Sequence, residues 1–312
     1  MTIKKETIVG SRVLESQIAF QTALKGYAVI TGASMGLGKA FAIECAKRNM
    51  NLILISLPDE NLSELCGELE LAYGIKAHYC ETDLTTREAV EELAQSINEK
   101  FSVQMIINNA GIGGSRIFSD TPVDYLENII LLNINAMVFL TRLLLPELKR
   151  HPSAFILNVS SLAALSPLPF KTVYPASKAF IHHFSQGLKA ELRDSNVSVS
   201  VLSPGPILTN SDVSKRINGQ SFYVKQCILP AEKIAQIAIE KLLKGKAVII
   251  PGILNKFNAF MIRLIPIDIR INIGTSIFKR ELKKKKNYEG TDYRGKRVAW
   301  QQPNKEALAK RL

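Results

Sequence analysis

Seven short runs of consecutive apolar residues alternate along the chain with longer stretches in which apolar residues recur every three or four positions. Short apolar runs bounded by turn residues are typical of buried strands, whereas the longer spacing is typical of helices with one apolar face. The predicted strands cover residues 27–31, 51–56, 75–80, 103–108, 154–159, 198–203 and 247–251. The predicted helices cover residues 36–49, 59–73, 87–99, 123–148, 174–194 and 231–244. This alternation predicts an α/β fold, with a doubly wound, mostly parallel seven-stranded sheet and helices on both faces.

A glycine-rich turn joins the first predicted strand to the first predicted helix. Gly32 permits a backbone conformation that a Cβ atom would forbid, Gly36 lets a ligand approach the main chain, and Gly38 lets the helix pack closely on the strand. The free N–H groups at the start of that helix favour an anion such as a pyrophosphate. Three glycines alone are equally typical of an ordinary tight turn, so the elements around the turn have to decide between the two interpretations.

The alternation continues without a linker or an internal repeat through residues 26–252, which we interpret as one domain preceded by an N-terminal arm, residues 1–25. Residues 253–278 form an amphipathic helical extension, interrupted too often by charges and prolines to span a membrane. Its apolar face is consistent with packing on its own domain, with a membrane surface or with a dimer contact. Residues 279–312 form a basic tail that we expect to be flexible.

Positive charge is concentrated in this tail. The whole chain carries +12, and residues 279–312 contain twelve Lys/Arg and four Asp/Glu, a net +8 that leaves +4 for the rest. Such a tail is attracted to polyanionic surfaces, but it lacks the interleaved aromatic residues of a nucleic-acid binder. The cysteines are scattered without a CxxC pair or a histidine cluster, which argues against disulfides and a metal site and fits a cytoplasmic protein. They are Cys45, Cys66, Cys80 and Cys227.

Tyr174 and Lys178 lie four residues apart at the start of a predicted helix and therefore share one face. A neighbouring ammonium stabilises a phenolate, so we expect Lys178 to lower the pKa of Tyr174. Such a tyrosine could give a proton to a carbonyl oxygen or remove one from an alcohol. The spacing alone is weak evidence, because a chain of this composition contains such a pair by chance.

Polar and glycine-bearing clusters follow three other predicted strands. Ser160 and Ser161 end the fifth strand, Pro204 and Gly205 follow the sixth, and Asn108–Gly111 ends the fourth. The carboxyl ends of parallel strands meet at one edge of a sheet, where the glycine turn also lies. We therefore expect one ligand crevice that contains all these clusters.

Together these motifs resemble the short-chain dehydrogenase/reductase family in order and spacing: TGxxxGxG from Thr31, NNAG from Asn108, Ser161, YxxxK from Tyr174, and PG from Pro204. The resemblance covers residues 26–210 closely and continues loosely to 252. It implies a single-domain Rossmann fold and an NAD(P)(H)-dependent oxidoreductase that interconverts a ketone and a secondary alcohol. It also implies a homodimer or homotetramer.

The resemblance implies a role for each catalytic residue. Tyr174 would be the general acid for reduction and the base for oxidation, and Lys178 would bind the nicotinamide ribose. Ser161 would hydrogen-bond the substrate oxygen, and Asn133 would hold a water that links Lys178 to solvent. The implied cofactor contacts, besides Tyr174 and Lys178, are Gly32, Ser34, Met35, Gly36, Leu37, Gly38, Asp83, Leu84, Asn109, Ala110, Gly111, Pro204, Gly205, Ile207 and Thr209. Asp83 could instead cap the next helix, although Thr85 or Thr86 could serve there.

The cofactor preference depends on the end of the second strand. An acidic residue there would bind the ribose hydroxyl of NAD, and a nearby arginine would accept the 2′-phosphate of NADP. The strand ends Ile55-Ser56-Leu57-Pro58, with neither. Because no carboxylate repels a phosphate there, the sequence favours NADP(H) over NAD(H).

Residues 207–230 are long enough to form a lid, and their apolar members predict an apolar or lipid-like substrate, such as a 3-oxoacyl or sphingoid ketone. With the basic tail, residues 253–312 could also hold the protein peripherally at a membrane surface. A second interpretation is a membrane- or polyanion-associated scaffold that binds a dinucleotide without turnover. Turnover of a ketone distinguishes the two.

Overall fold

The computed structural model describes residues 24–207, 226–285, 290–291 and 297–298. Seven strands form one parallel sheet in the order β3-β2-β1-β4-β5-β6-β7. They are β1 (Tyr27–Thr31), β2 (Asn51–Ser56), β3 (Ala77–Glu81), β4 (Val103–Asn108), β5 (Ala154–Val159), β6 (Val197–Leu202) and β7 (Val248–Ile249). The predicted fold class is therefore confirmed.

Eight α-helices lie in the part of the chain that the structure describes. They are α1 (Gly36–Ala46), α2 (Leu62–Tyr73), α3 (Arg87–Lys100), α4 (Val123–Leu148), α5 (Val173–Glu191), α6 (Ala231–Leu243), α7 (Ile253–Leu264) and α8 (Ile267–Lys285). Short 3₁₀ turns occur at Phe118–Asp120 and Leu162–Leu165, and Gly290–Thr291 pairs antiparallel with Arg297–Val298.

Both faces of the sheet are covered, which explains why strands such as β1 and β2 have continuous apolar runs rather than apolar residues at every second position. In β1, Ala28 and Ile30 point into a core formed with α1, α2 and α6. Val29, between them, points into the opposite core, formed mainly with α3 and α4. The β1 segment is therefore buried on both sides at the centre of the sheet.

Helix α4 is long and apolar enough to cross a membrane by length and composition, and it is the one such helix among the described residues. Its side chains at Leu140, Leu144 and Leu148 are buried in the core beneath the sheet. A core helix satisfies the same criteria as a membrane span, so we assign α4 to the fold.

The C-terminal region differs from the sequence prediction. Pro266, which cannot continue a helical hydrogen-bond ladder, divides the predicted extension 253–278 into α7 and α8. Helix α8 continues to Lys285, so the part of the chain expected to be a flexible tail from 279 begins as helix, in keeping with the helix propensity of lysine and arginine. The predicted arm 1–25 lies outside the described residues except for its last two, of which Leu24 is buried.

Candidate active site

The strand order brings the predicted motifs to one edge of the sheet. β1, β4, β5 and β6 are consecutive neighbours, and the chain reverses its winding direction between β1 and β4. In sheets of this kind, ligands bind outside the carboxyl ends of the strands at that reversal. The glycine turn, Asn109–Gly111, Ser160–Ser161 and Pro204–Gly205 all follow strands that end there.

The glycine turn is closely packed. Gly32 and Gly36 have φ values of +64° and +55°, and a Cβ atom on Gly38 would lie 1.8 Å from the carbonyl oxygen of Gly32. No other residue fits at Gly38 without moving helix α1 away from the strand. Helix α1 therefore begins in direct contact with the end of β1.

Two loops meet through Thr31 and Asn109. The Thr31 hydroxyl accepts from the N–H groups of Asn109 and Ala110, each at 3.0 Å. The Asn109 amide in turn donates to the carbonyl oxygens of Thr31 and Gly32, at 2.9 and 3.1 Å. These four bonds fix the loop after β4 against the glycine turn.

Tyr174 and Lys178 begin helix α5, one turn apart, and reach the end of β5. The Tyr174 side chain hydrogen-bonds the Ser161 side chain. Lys178 is 4% exposed, its Nζ donates to the carbonyl oxygen of Val159 at 2.9 Å, and it lies 5.8 Å from the centre of the Tyr174 ring. Ser160 fixes the helix from the other side, because its hydroxyl donates to the carbonyl oxygen of Lys178 at 2.7 Å.

Burial disfavours the charged form of both groups. It raises the pKa of the Tyr174 phenol, and the hydrogen bond with Ser161 lowers that pKa by a smaller amount. It lowers the pKa of the Lys178 ammonium to about 8. The direction for Tyr174 is opposite to the one expected from its spacing to Lys178, because desolvation outweighs the attraction of a lysine that bonds the main chain instead. Near pH 7 both groups are therefore protonated.

Asn133 lies in a π-helical turn of α4, Leu131–Ala136. Its Oδ1 accepts from the Ile112 N–H and its Nδ2 donates to the Ile112 carbonyl oxygen and to the Ser177 hydroxyl, each at 2.9 Å. A Cβ atom on Gly111 would lie 3.0 Å from Asn133 Oδ1 and 3.1 Å from Lys178 Nζ. The amide therefore ties the loop after β4 to helix α5 beside the lysine.

The sequence reasoning missed two small residues of this site. A Cβ atom on Gly113 would lie 2.2 Å from the Tyr174 ring, so only glycine lets the loop close over the tyrosine. Ser177 connects Asn133 to α5, and its hydroxyl also donates to the carbonyl oxygen of Tyr174 at 2.8 Å. Gly113 belongs to a run of glycines that follows Asn109, and that run could have identified it from the sequence. Nothing in the sequence pattern distinguishes Ser177.

The remaining predicted cofactor contacts lie around the same edge. Leu84 and Ala110 line one small cavity with Thr31, and Met35 is 56% exposed at the start of α1. Asp83 accepts from the N–H and the hydroxyl of Thr85, at 3.0 and 2.8 Å, while Thr86 caps helix α3. The alternative role of Asp83 as the helix cap is therefore not needed.

Asn255 of α7 contacts the loop after β6. A Cβ atom on Gly205 would lie 2.5 Å from Asn255 Oδ1. The Nδ2 atom of Asn255 donates to the carbonyl oxygens of Cys227 and Pro251, at 2.9 and 3.0 Å. Ile207 forms a parallel bridge with Leu229. Thr209, also predicted as a cofactor contact, lies outside the described residues.

A cleft opens beside Tyr174 between α4 and the segment before α5. Its lining includes Tyr125, Leu126, Ile129, Phe170, Val173 and Tyr174. Arg116 lies over the ring of Tyr125 at 4.2 Å, at the rim of the same cleft. Among the residues that the structure describes, no three His, Cys, Asp or Glu side chains are grouped as metal ligands.

Residues 26–219 match the family model described as short chain dehydrogenase. The chain is 37% identical over 202 residues to a very-long-chain 3-oxoacyl-CoA reductase of Anas platyrhynchos, covering 63% of this chain and 65% of that protein. It is 34% identical over 197 residues to a 17-beta-hydroxysteroid dehydrogenase type 3 of Mus musculus, covering 61% and 63%. The matches thus span just under two thirds of these relatives.

A similar solved structure is a short-chain dehydrogenase from Sphingobium yanoikuyae in complex with NADPH. It is 25% identical, has a TM-score of 0.67, and matches 75% of this chain and 91% of the solved one. About three quarters of this chain thus has a counterpart of known structure.

Proposed function

The chain belongs to the short-chain dehydrogenase family, and from that premise we propose that it is an NAD(P)(H)-dependent oxidoreductase interconverting a ketone and a secondary alcohol. One observation carries the proposal: the Tyr174 phenol hydrogen-bonds Ser161 one helical turn from the buried Lys178 ammonium. This pairs a proton donor with a hydroxyl and a cation at the edge of the sheet where ligands bind.

The glycine turn supports the dinucleotide. Gly32 and Gly36 take up the positive φ angles of the turn, Gly38 lets α1 pack directly against Gly32, and the start of α1 would face the pyrophosphate. Ser34, Leu84, Asn109 and Ile207 would line its path, with the other predicted cofactor contacts. When bound, the dinucleotide supplies or accepts the hydride at its nicotinamide ring.

The protein itself handles the proton. In reduction, Tyr174 donates its phenolic proton to the carbonyl oxygen of the substrate, and Ser161 orients that oxygen by a hydrogen bond. The raised pKa of Tyr174 keeps the phenol protonated near neutral pH, which suits a donor. The Lys178 ammonium stabilises the phenolate that remains after transfer. Asn133 holds the loop and helix that carry these groups in place.

We propose an apolar ketone of the 3-oxoacyl or steroid type as the substrate. The named relatives act on such compounds, and the cleft beside Tyr174 is lined mainly by apolar and aromatic side chains. Arg116 at its rim supplies a positive charge for an anionic end of the substrate. The predicted lid, residues 207–230, lies largely outside the described residues.

A peripheral membrane contact is the second part of the proposal. The side chains of Ile253, Phe257, Phe260 and Leu264 follow one another at helical spacing along α7 and are 84%, 56%, 60% and 62% exposed. The face of α7 that packs on the domain holds Asn255 and Ala259 instead. A helix whose apolar face points outward, followed by a basic segment, fits an anionic bilayer better than packing on its own domain.

The same helices reach the catalytic region. The Arg270 guanidinium donates to the carbonyl oxygen of Leu165 at 2.8 Å, and Gly274 of α8 lies against Pro169. Residues 162–172 connect Ser161 to helix α5, which carries Tyr174 in its first turn. A membrane that contacts α7 and α8 would therefore lie close to the cleft, which suits a lipid-borne ketone. We further propose a homodimer or homotetramer on the cytoplasmic side, as the family resemblance implies.

Replacing Tyr174 with Phe tests the catalytic proposal. The variant should bind NADH or NADPH with a fluorescence-measured Kd close to that of the wild type, while ketone-dependent oxidation of the dinucleotide falls by roughly 10²–10⁴-fold. Tyr79→Phe is the control, because Tyr79 is 50% exposed on the edge strand β3. Near-normal turnover by the Tyr174 variant would contradict the assignment. A wild type that binds the dinucleotide but turns over no ketone would support a scaffold instead.

A further inference from the structure

The loop between β2 and α2 folds back over the glycine turn. The Ser34 hydroxyl donates to the Glu60 carboxylate at 2.5 Å, and both side chains are half-buried. Asp59 and Asn61, on either side of Glu60, have φ values of +64° and +56°. Two non-glycine residues in the left-handed region on either side of one residue are uncommon, and Glu60, the residue between them, bonds Ser34.

Ser34 lies between Gly32 and Gly36, inside the turn that would hold the pyrophosphate. The end of β2 is bonded directly to that turn, because the Ala33 N–H donates to the carbonyl oxygen of Ile55 at 3.1 Å. In dinucleotide-binding folds the adenosine ribose passes between these two places. The Glu60 carboxylate, bonded to Ser34 in that turn, therefore lies beside the path that the ribose of a bound dinucleotide would take.

No cation in the described parts of the chain forms an ion pair with this carboxylate. Lys39 at the start of α1 pairs with Glu68 at 3.7 Å. Leu57 stands directly after β2, where an arginine would be needed to accept a phosphate. A carboxylate accepts a hydrogen bond from a ribose hydroxyl and repels a phosphate in the same place.

We propose that Glu60, held by Ser34, selects NAD(H) over NADP(H). This rests on the proposed function, since it needs a dinucleotide in the glycine turn. It reverses the preference drawn from the sequence, where the absence of an acid at the end of β2 favoured NADP(H). The carboxylate is present, but it comes from four residues beyond the strand and reaches the site only through the fold of the loop.

The test is a binding measurement on the full chain at low salt. Dissociation constants are determined by fluorescence titration for NADH and NADPH, and by calorimetry for ADP and its 2′-phosphorylated form, which carry the discriminating group without the nicotinamide. The wild type should bind NADH and ADP at least tenfold more tightly than their 2′-phosphorylated counterparts. This discrimination should shrink as salt is raised, because a half-buried carboxylate is partly screened.

Glu60→Gln removes the charge and keeps the shape. It should strengthen binding of NADPH and of 2′-phosphorylated ADP by tenfold or more relative to NADH and ADP. Glu64→Gln, which removes the same charge from an exposed position in the first turn of α2, should leave both ratios unchanged. Thermal unfolding of the three proteins checks that their folds are equivalent.

Other outcomes would overturn the proposal. A wild type that binds NADPH as tightly as NADH, or a Glu60→Gln variant with an unchanged ratio, would show that the carboxylate moves aside and does not select. If neither dinucleotide binds while the protein is folded, the proposed function itself fails, and this inference fails with it.

Discussion

Lys178 brings a positive charge into a position that is 4% exposed, and burial lowers its pKa to about 8 from an ordinary value of 10.5. Between those two pH values the unfolded chain binds this proton and the native protein does not, so the free energy of unfolding rises with pH across that window. The native state thus carries a penalty below pH 8, of about 3 kcal/mol for a shift of this size. This cost accompanies an ammonium held 5.8 Å from the ring of Tyr174, the proposed proton donor.

Replacing Lys178 with Met should remove this pH dependence. The stability of the wild type relative to the variant should increase by about 3 kcal/mol from pH 7 towards pH 10.5, as measured by urea unfolding at a series of pH values. Lys189→Met is the matched control, since Lys189 lies on the same helix and its Nζ also donates to a main-chain carbonyl, that of Gly245 at 3.0 Å, but it is only half-buried. Parallel pH profiles for the wild type and the Lys178 variant would mean that the lysine is hydrated in solution.

At the scale of a single element, the π turn of α4 decides what Asn133 can reach. All three hydrogen bonds of its amide go to Ile112 and Ser177. Asn133→Ala should therefore loosen the loop that carries Asn109–Gly111, lowering the free energy of unfolding by roughly 2–3 kcal/mol, at about 1 kcal/mol per bond. Dinucleotide binding should weaken at the same time, as measured by fluorescence titration.

Asn128→Ala offers a control on the same helix, because no side-chain hydrogen bond of Asn128 occurs among the described residues. Asn128→Ala should leave the free energy of unfolding and the dinucleotide affinity almost unchanged. A result in which Asn133→Ala loses only turnover, with stability and dinucleotide affinity intact, would favour the role implied by the family resemblance, a water held next to Lys178.

The same elements show how far a sequence predicts a structure. Strands β1, β2, β4 and β5 have the predicted bounds, because a strand buried on both faces leaves an uninterrupted apolar run. The π turn was not predicted, since one extra residue in a turn hardly changes the helical period. Motifs that are continuous in the sequence were found, whereas contacts that depend on how a loop folds, such as Glu60 with Ser34, were not.

The C-terminal extension, residues 253–278, is another region where the sequence predicts the helix but not its packing. The spacing of its apolar residues predicted an amphipathic helix, and α7 is one. Which side of that helix faces the domain depends on the surface it meets, and that surface is assembled from distant parts of the chain. Asn255 packs inward against Gly205 while Phe257 points out, the reverse of what hydrophobicity alone suggests.

For the whole molecule, exposed apolar side chains and positive charge at one end of the chain predict reversible binding to anionic membranes. The protein should sediment with anionic but not with neutral vesicles, and less so as salt is raised. Replacing Phe257 and Phe260 with Ser should weaken this binding at every salt concentration, because it removes the hydrophobic part. Leu71→Ser is the control, since Leu71 is 91% exposed on α2, outside the apolar face of α7.

Replacing Lys283, Lys284, Lys285 and Lys286 with Gln should instead remove the salt-sensitive, electrostatic part of vesicle binding. Each lysine near an anionic surface contributes about 1 kcal/mol, so partitioning should fall by tenfold or more. Both variants should keep the wild-type rate with a short soluble ketone, because neither changes a residue at Tyr174 or in the glycine turn. Turnover of a long-chain ketone presented in vesicles should fall with partitioning. If partitioning is unchanged in both variants, the C-terminal surface does not contact the membrane, and the exposed apolar face of α7 has another partner.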